Sequence, residues 1–318
     1  AVMTGFYVFL FGLMLADAAY GAIIAAACGA ALLKFPRMEE DLRKSLGLFF
    51  WCGLSTLFWG ILFGGYFGDA PDIIAGTFFG VSIPEGQSVI PALWFVPLGD
   101  PMRLLMYSLL FGCIHLFTGL GIKGYLCIRN RDYTAFVCDV IFWFLLILGL
   151  LFLLIPSSMF ASMFGIRVSV SPAFSLISGG MAAGGALGIL LTAGRRKGKA
   201  WGIRLALGAY DLYNVTGWLS DILSYSRLLA LGLATGVIAS VVNQMGSMFG
   251  NSVFGVLLFL ELFRVGHTYN LAIILLGDYV PTCRLQYVEF FGKFYEGGGK
   301  AFVPFALNTK YVDMKGEH

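Results

Sequence analysis

The chain has 318 residues, 58% of them hydrophobic and 12% charged, with a formal net charge of +3 and a mean hydropathy of +0.83. Water-soluble domains carry about 25% charged residues, so this composition excludes a soluble globule, and the length counts membrane crossings. The cations are clumped between apolar runs, as membrane topology requires and a nucleic-acid surface does not, which sets nucleic acid aside as a partner.

Apolar runs long enough to cross about 30 Å of hydrocarbon lie at 4–34, 46–68, 103–127, 134–155, 172–193, 207–247 and 253–292. The first has no basic n-region and no small-residue cleavage site, so it is not a signal peptide; its start at Ala1, inside an apolar segment, suggests a piece of a longer protein. In its middle, FGLMLADAAYGAII holds Asp17 and Gly21, a polar group and a flexible residue that break a helix. Two helices, 4–17 and 18–34, are expected there, making eight in all and returning the N-terminus to the cytoplasm. Lys and Arg gather in KFPRMEEDLRKS, RNRD, RRKGKAWGIR and the tail from Lys293, which the positive-inside rule makes cytoplasmic. The opposite side holds the segment from Asp69 to Asp100 and the short loop SSMFASMFGIRVS. The last two runs would each exceed about 55 Å as straight helices, so they tilt, break or leave the membrane. Cys28, Cys52, Cys113, Cys127, Cys138 and Cys283 form no CxxC pair and read as small apolar residues. No internal repeat is evident, which counts against the common secondary-transporter designs.

A charged side chain deep in a bilayer costs about 2.5 to 3.5 kcal/mol on insertion scales, so it faces a bundle interior or water. Arg227, in SDILSYSRLLALGLATGVIASVV, is the clearest case, too far inside its run to snorkel to the near end. It is either functional or a structural ion pair with Asp221, Asp17 or another acidic group. Around it Tyr213, Ser220, Ser224 and Thr235 recur near multiples of 3.6 residues and suggest a polar stripe leading to the cation; the bland alternative is hydroxyls bonded to their own backbone carbonyls. The last run carries His267, Asn270, Asp278, Arg284 and Glu289. Asn270 precedes Arg284 by close to four turns and is expected on the same face, while Glu289 either contributes to the site or pairs with Arg284. Pro281 removes a backbone donor and loosens this helix. His115 and His267 read as hydrogen-bonded packing residues before proton relays. There is no HExxH motif or Cys/His cluster, and EGGGK at 296–300 lacks the Walker spacing, so no metal, cofactor or nucleotide site is expected. NVT at 214–216 matches a glycosylation pattern inside a membrane helix and is dismissed.

SYSRLLALGLATGVIASVVNQM, followed by GHTYNLAIILLGDYVPTCRLQYVEFFGKFYEGGGKAFVPF, closely resembles the C-terminal membrane domain of subunit a, or subunit I, of V-type and A-type rotary ATPases. FGLMLADAAYG and FWGILFGGYFGDA resemble the family's early segments, so the likeness spans nearly the whole chain. It implies an all-α, polytopic stator of about eight helices, with 1–205 as scaffold, 206–295 as two long, strongly tilted helices facing a rotating ring, and 296–318 as a cytoplasmic tail. A cytoplasmic N-terminal domain that binds peripheral-stalk subunits would precede it.

The resemblance further implies that Arg227 is the family's essential arginine and Arg284 its second. Two half-channels, with Tyr213, Ser220, Asp221, Ser224, Thr235, His267, Asn270, Asp278 and Glu289 as candidate lining, would carry H+ or Na+ to and from carboxylates on the c/K-subunit ring. The fixed guanidinium would force those carboxylates to release their ion. Pro281 and Thr235 stand where many relatives have histidines, so histidine relay roles do not carry over, and the ion stays open. The wording of the motifs is closest to bacterial subunit I, pointing to a bacterial plasma membrane. ATP chemistry would lie on other subunits. The competing reading from the residues alone is a stand-alone secondary transporter of an anionic substrate.

Overall fold

The computed structural model describes residues 2–35, 38–81, 84, 88–157, 160–161, 165, 170–192, 201–295, 298–299 and 302. The first apolar run is two helices, α1 (Val2–Leu15) and α2 (Ala18–Lys34). Between them Ala16 takes a left-handed φ of 43°, and Asp17 caps α2 by accepting from the Ala19 and Tyr20 amides at 2.9 and 3.2 Å. The same carboxylate accepts from the Phe67 and Gly68 amides at 3.1 and 2.8 Å, just beyond the end of α3 (Glu40–Phe63). The polar residue that interrupts the apolar pattern is thus a corner post for two connections.

Helices α2 and α3 run antiparallel with their backbones in contact. A Cβ on Gly60 would stand 2.0 Å from Ala18 N, one on Gly21 2.4 Å from Leu57 N, and one on Gly53 2.7 Å from Ala25 N. Such close approach is the use small residues have in membrane helices, where apolar side chains gain little by leaving lipid. Helix α1, about 21 Å long at the standard rise, is apolar all round and every residue from Leu10 to Leu15 is buried, as expected of a helix wrapped by others. Leu10, Leu13 and Met14 join Trp59, Phe63, Leu104, Leu116, Trp218 and Leu228 in the main core.

A short helix that the sequence reading lacked, α4 (Ala70–Phe78), opens the segment from Asp69 to Asp100. Next come α5 (Pro101–Arg129), α6 (Tyr133–Leu154) with a π-helical turn at Val137–Ile141, and α7 (Pro172–Thr192). Helices α6 and α7 repeat the small-residue seam, with Gly149 against Ala182 and Gly185 against Leu146.

The apolar run at 207–247, expected to tilt, break or leave the membrane, is covered by three pieces, α8 (Trp201–Tyr213), α9 (Val215–Ser224) and α10 (Ser226–Ser247), with turns at Asn214 and Tyr225. Helix α11 (Val253–Arg284) follows, continuing as a π-helical segment Leu285–Phe290 and a 3-10 turn Phe291–Lys293. Among the described residues six helical stretches are long and apolar enough to cross a membrane, the last two with 43 and 41 residues. With the shorter apolar α1 and α2 they account for the eight expected, in an all-α polytopic membrane protein.

Candidate functional site

The turns at Asn214 and Tyr225 decide what the hydroxyls can do. These turns shift the helical phase between Tyr213, Ser220 and Arg227, and the residues of the expected stripe differ in burial. Tyr213 and Ser220 are exposed, Ser224 and Arg227 half-buried, and Thr235 buried. Ser224 Oγ donates to the Ser220 carbonyl at 3.1 Å and Thr235 Oγ1 to the Leu231 carbonyl at 3.0 Å, the local bonding that satisfies a hydroxyl inside a helix.

Arg227 is the second residue of α10, and its Nη2 donates to Glu289 Oε1 at 3.2 Å. The Glu289 side chain is 2% exposed and that of Arg227 28%, so the cation is held from inside and open on its outer side. Pro281 has no N–H to offer the Gly277 carbonyl, yet α11 continues to Arg284 and then widens. The π segment buries Leu285, Gln286, Glu289 and Phe290. Glu289 therefore does not pair with Arg284, which is exposed, whereas Asn270 is buried. Fourteen residues fall about 40° short of four turns, so Asn270 and Arg284 lie towards one side of the helix but differ in burial.

The other acids first considered for Arg227 are engaged elsewhere. Asp17 holds backbone amides, and Asp221 forms an ion pair with Lys293 Nζ, which also sits 3.9 Å from the Trp218 ring centroid. His115 has its Nδ1 2.6 Å from the Tyr225 hydroxyl and its ring stacked on Phe290 at 4.4 Å, a packing histidine as expected.

A second polar network lies nearer the start of α11. His267 Nε2 is 2.9 Å from Asn243 Oδ1 and its Nδ1 is 2.5 Å from the Tyr20 hydroxyl. Asn270 Nδ2 donates to the same hydroxyl at 3.0 Å, and Asn243 Nδ2 donates to the Phe67 carbonyl at 2.8 Å and Asp69 Oδ1 at 3.0 Å. If Nε2 carries the imidazole proton, every contact in the chain has one donor and one acceptor. The sequence reading missed Tyr20, Asn243 and Gln286. Gln286 was findable, since the buried polar residues His267, Asn270, Asp278, Thr282, Gln286 and Glu289 of this segment recur at helical steps over about 33 Å. Asp278 is 1% exposed, with its carbonyl accepting from Thr282 Oγ1 at 2.6 Å.

Beside the second network an open cavity of about 130 Å³ is lined by residues that include Asp17, Asp69, Asp72 and Ser88 together with Gly232, Thr235 and Gly236 of α10. Thr235 lies eight residues beyond Arg227, about 12 Å along the helix. Among the described residues no group of three or more His, Cys, Asp or Glu is arranged to hold a metal ion.

No family model matches the chain. It is 35% identical over 338 aligned residues to A-type ATP synthase subunit I of Methanocaldococcus jannaschii, covering 98% of this chain and 45% of the relative. It is 32% identical to A-type ATP synthase subunit I of Thermococcus kodakarensis, covering 94% of this chain and 42% of the relative. A shorter stretch, 27% of this chain, is 36% identical to V-type ATP synthase subunit I of Chlamydia trachomatis. The chain thus spans a little under half the length of the curated A-type relatives it matches.

Proposed function

The chain is homologous to subunit I of A-type ATP synthases across nearly its whole length, and on that premise we propose that it is the membrane stator of a rotary ATPase, carrying H+ or Na+ past the carboxylates of a c/K-subunit ring. The observation that carries this reading is Arg227, a guanidinium embedded in a 43-residue apolar span whose outer side remains open. A ring carboxylate surrounded by lipid is neutral, with its ion bound, because a bare charge there is very costly. On meeting Arg227 it gains a partner that stays charged at every relevant pH, which favours the ionised form and releases the ion. The same fixed charge repels cations that would leak between the two half-channels without turning the ring.

The cavity from Asp69 and Asp72 to Thr235 supports one half-channel, ending short of the arginine on the side of the segment from Asp69 to Asp100. The buried polar face of α11 supports a second role for His267, Asn270, Asp278 and Glu289 beside it, and the exposed Arg284 suits contact with the ring. Tyr213, Ser220, Asp221 and Ser224 contribute least to a lining in this arrangement, Asp221 being occupied by Lys293. Peripheral-stalk subunits would bind outside the region described by this chain.

The test is Arg227→Ala in the complete ATPase reconstituted into vesicles. ATP-driven ion uptake should vanish while the subunit still assembles; normal pumping by this variant would refute the proposal. Sodium dependence of ATPase activity over a pH series identifies the ion, stimulation by sodium near neutral pH marking a sodium enzyme.

A further inference from the structure

We infer that Glu289 is a positioning residue that supplies Arg227 with a permanent counter-charge, so that a passing ring carboxylate shares the guanidinium instead of capturing it. This rests on the stator reading above and adds to it a second charge on the stator side of the same contact.

The geometry is asymmetric. Glu289 is 2% exposed and touches Arg227 through one oxygen, at 3.2 Å, and one terminal nitrogen, Nη2. A guanidinium has five N–H donors in a planar fork, so a single contact leaves the rest of the fork free on the side where Arg227 is 28% exposed. Glu289 Oε2 is buried without a hydrogen-bond partner among the described residues. The neighbouring acid Asp221 is bound to Lys293 and does not compete. Arg227 is therefore held from behind and presents its remaining donors outward.

Electrostatics gives this arrangement a purpose. A lone guanidinium in an apolar span would bind an arriving carboxylate strongly, because the attraction of opposite charges rises as the effective dielectric falls. Release would then limit turnover. With Glu289 already in contact, the arriving carboxylate meets a cation whose field is partly cancelled. It is attracted enough to lose its ion and weakly enough to leave. Glu289 also fixes where the guanidinium points, sparing the arriving group the ordering of a long side chain.

The experiment uses the complete ATPase with full-length subunit carrying Glu289→Gln, Glu289→Asp or Arg227→Ala, reconstituted into liposomes. ATP-driven uptake is followed with a pH-sensitive dye and with ²²Na⁺ in parallel, and assembly by co-purification of the ring. Gln keeps the size of the side chain and removes its charge; Asp keeps the charge and shortens the reach. The inference requires Glu289→Gln to assemble and transport about tenfold slower or worse, the scale of a lost interaction with a charged group, and Glu289→Asp to stay within about threefold of the parent. A residue that merely fills space gives the reverse order, and that order overturns the inference, as does parental uptake by the Gln variant. Should the Gln variant fail to assemble, the Asp variant decides alone: a tenfold loss in an assembled complex rejects the counter-charge. Arg227→Ala separates the two levels, since uptake by that variant sinks the stator reading itself, whereas a dead Arg227→Ala beside a normal Glu289→Gln sinks only this inference.

Discussion

Replacing Asp17 tests whether the break in the first apolar run is built or incidental. Its Oδ1 accepts from the amides of Ala19, Tyr20 and Phe67, and its Oδ2 from that of Gly68, while the residue is 3% exposed. Asp17→Ala orphans all four donors. A buried unsatisfied amide costs about 1 to 3 kcal/mol, and because Asp17 borders the cavity, water reaches part of the group and the low end applies, giving about 4 kcal/mol. Asp17→Asn keeps one carbonyl oxygen for the three Oδ1 contacts and turns an NH2 toward the Gly68 amide, donor against donor, costing about 1 to 2 kcal/mol. At about 2 °C per kcal/mol for a chain this large, thermal unfolding in detergent should fall by roughly 8 °C for Ala and 2 to 4 °C for Asn. An Ala variant that melts with the parent, or an Asn variant that melts below the Ala one, would refute the assignment of Asp17 as the post holding α2 and the end of α3.

Gly60→Val should prevent α2 and α3 from seating, because even a Cβ would stand 2.0 Å from Ala18 N; the expected loss is about 3 kcal/mol or more, read as aggregated protein in size-exclusion chromatography, and a monodisperse variant of parental stability would contradict the seam. Lys293→Met leaves Asp221 without its cation and removes the charge over Trp218; with side chains 14% and 26% exposed, a loss of about 1 to 2 kcal/mol is expected. Lys293→Met/Asp221→Leu should regain most of it, and a double variant no more stable than the single one would argue against pairing.

The sequence made the spans legible because the hydrocarbon thickness imposes a length on every apolar run, and the break at Asp17 was legible because a carboxylate has no other business there. Arg227 stood out for the same reason. The contacts of Arg227 were not legible. Helical periodicity carries information only along an unbroken helix, and the turns at Asn214 and Tyr225 reset the phase on one side of Arg227. The π segment after Arg284 does the same beside Glu289, so a partner 62 positions away could not be found by counting. The fates of Asp221 and Asp17 were ambiguous because one acid can serve a cation or a set of amides equally well, and only the fold brings Lys293 or the Phe67 backbone within reach.

The two long spans are tied at two places. At one, Asn243 and His267 join α10 and α11 to Tyr20 and Asp69; at the other, Lys293 ties the end of the α11 segment to Asp221 on α9. A strut held at two points deflects most midway between them and least beside its supports. Arg227 lies six residues from Asp221 and Glu289 four from Lys293, close to a support. If a ring moves past this face as proposed, sideways thrust from it would shift the guanidinium little, and any compliance that smooths its motion would reside outside this contact.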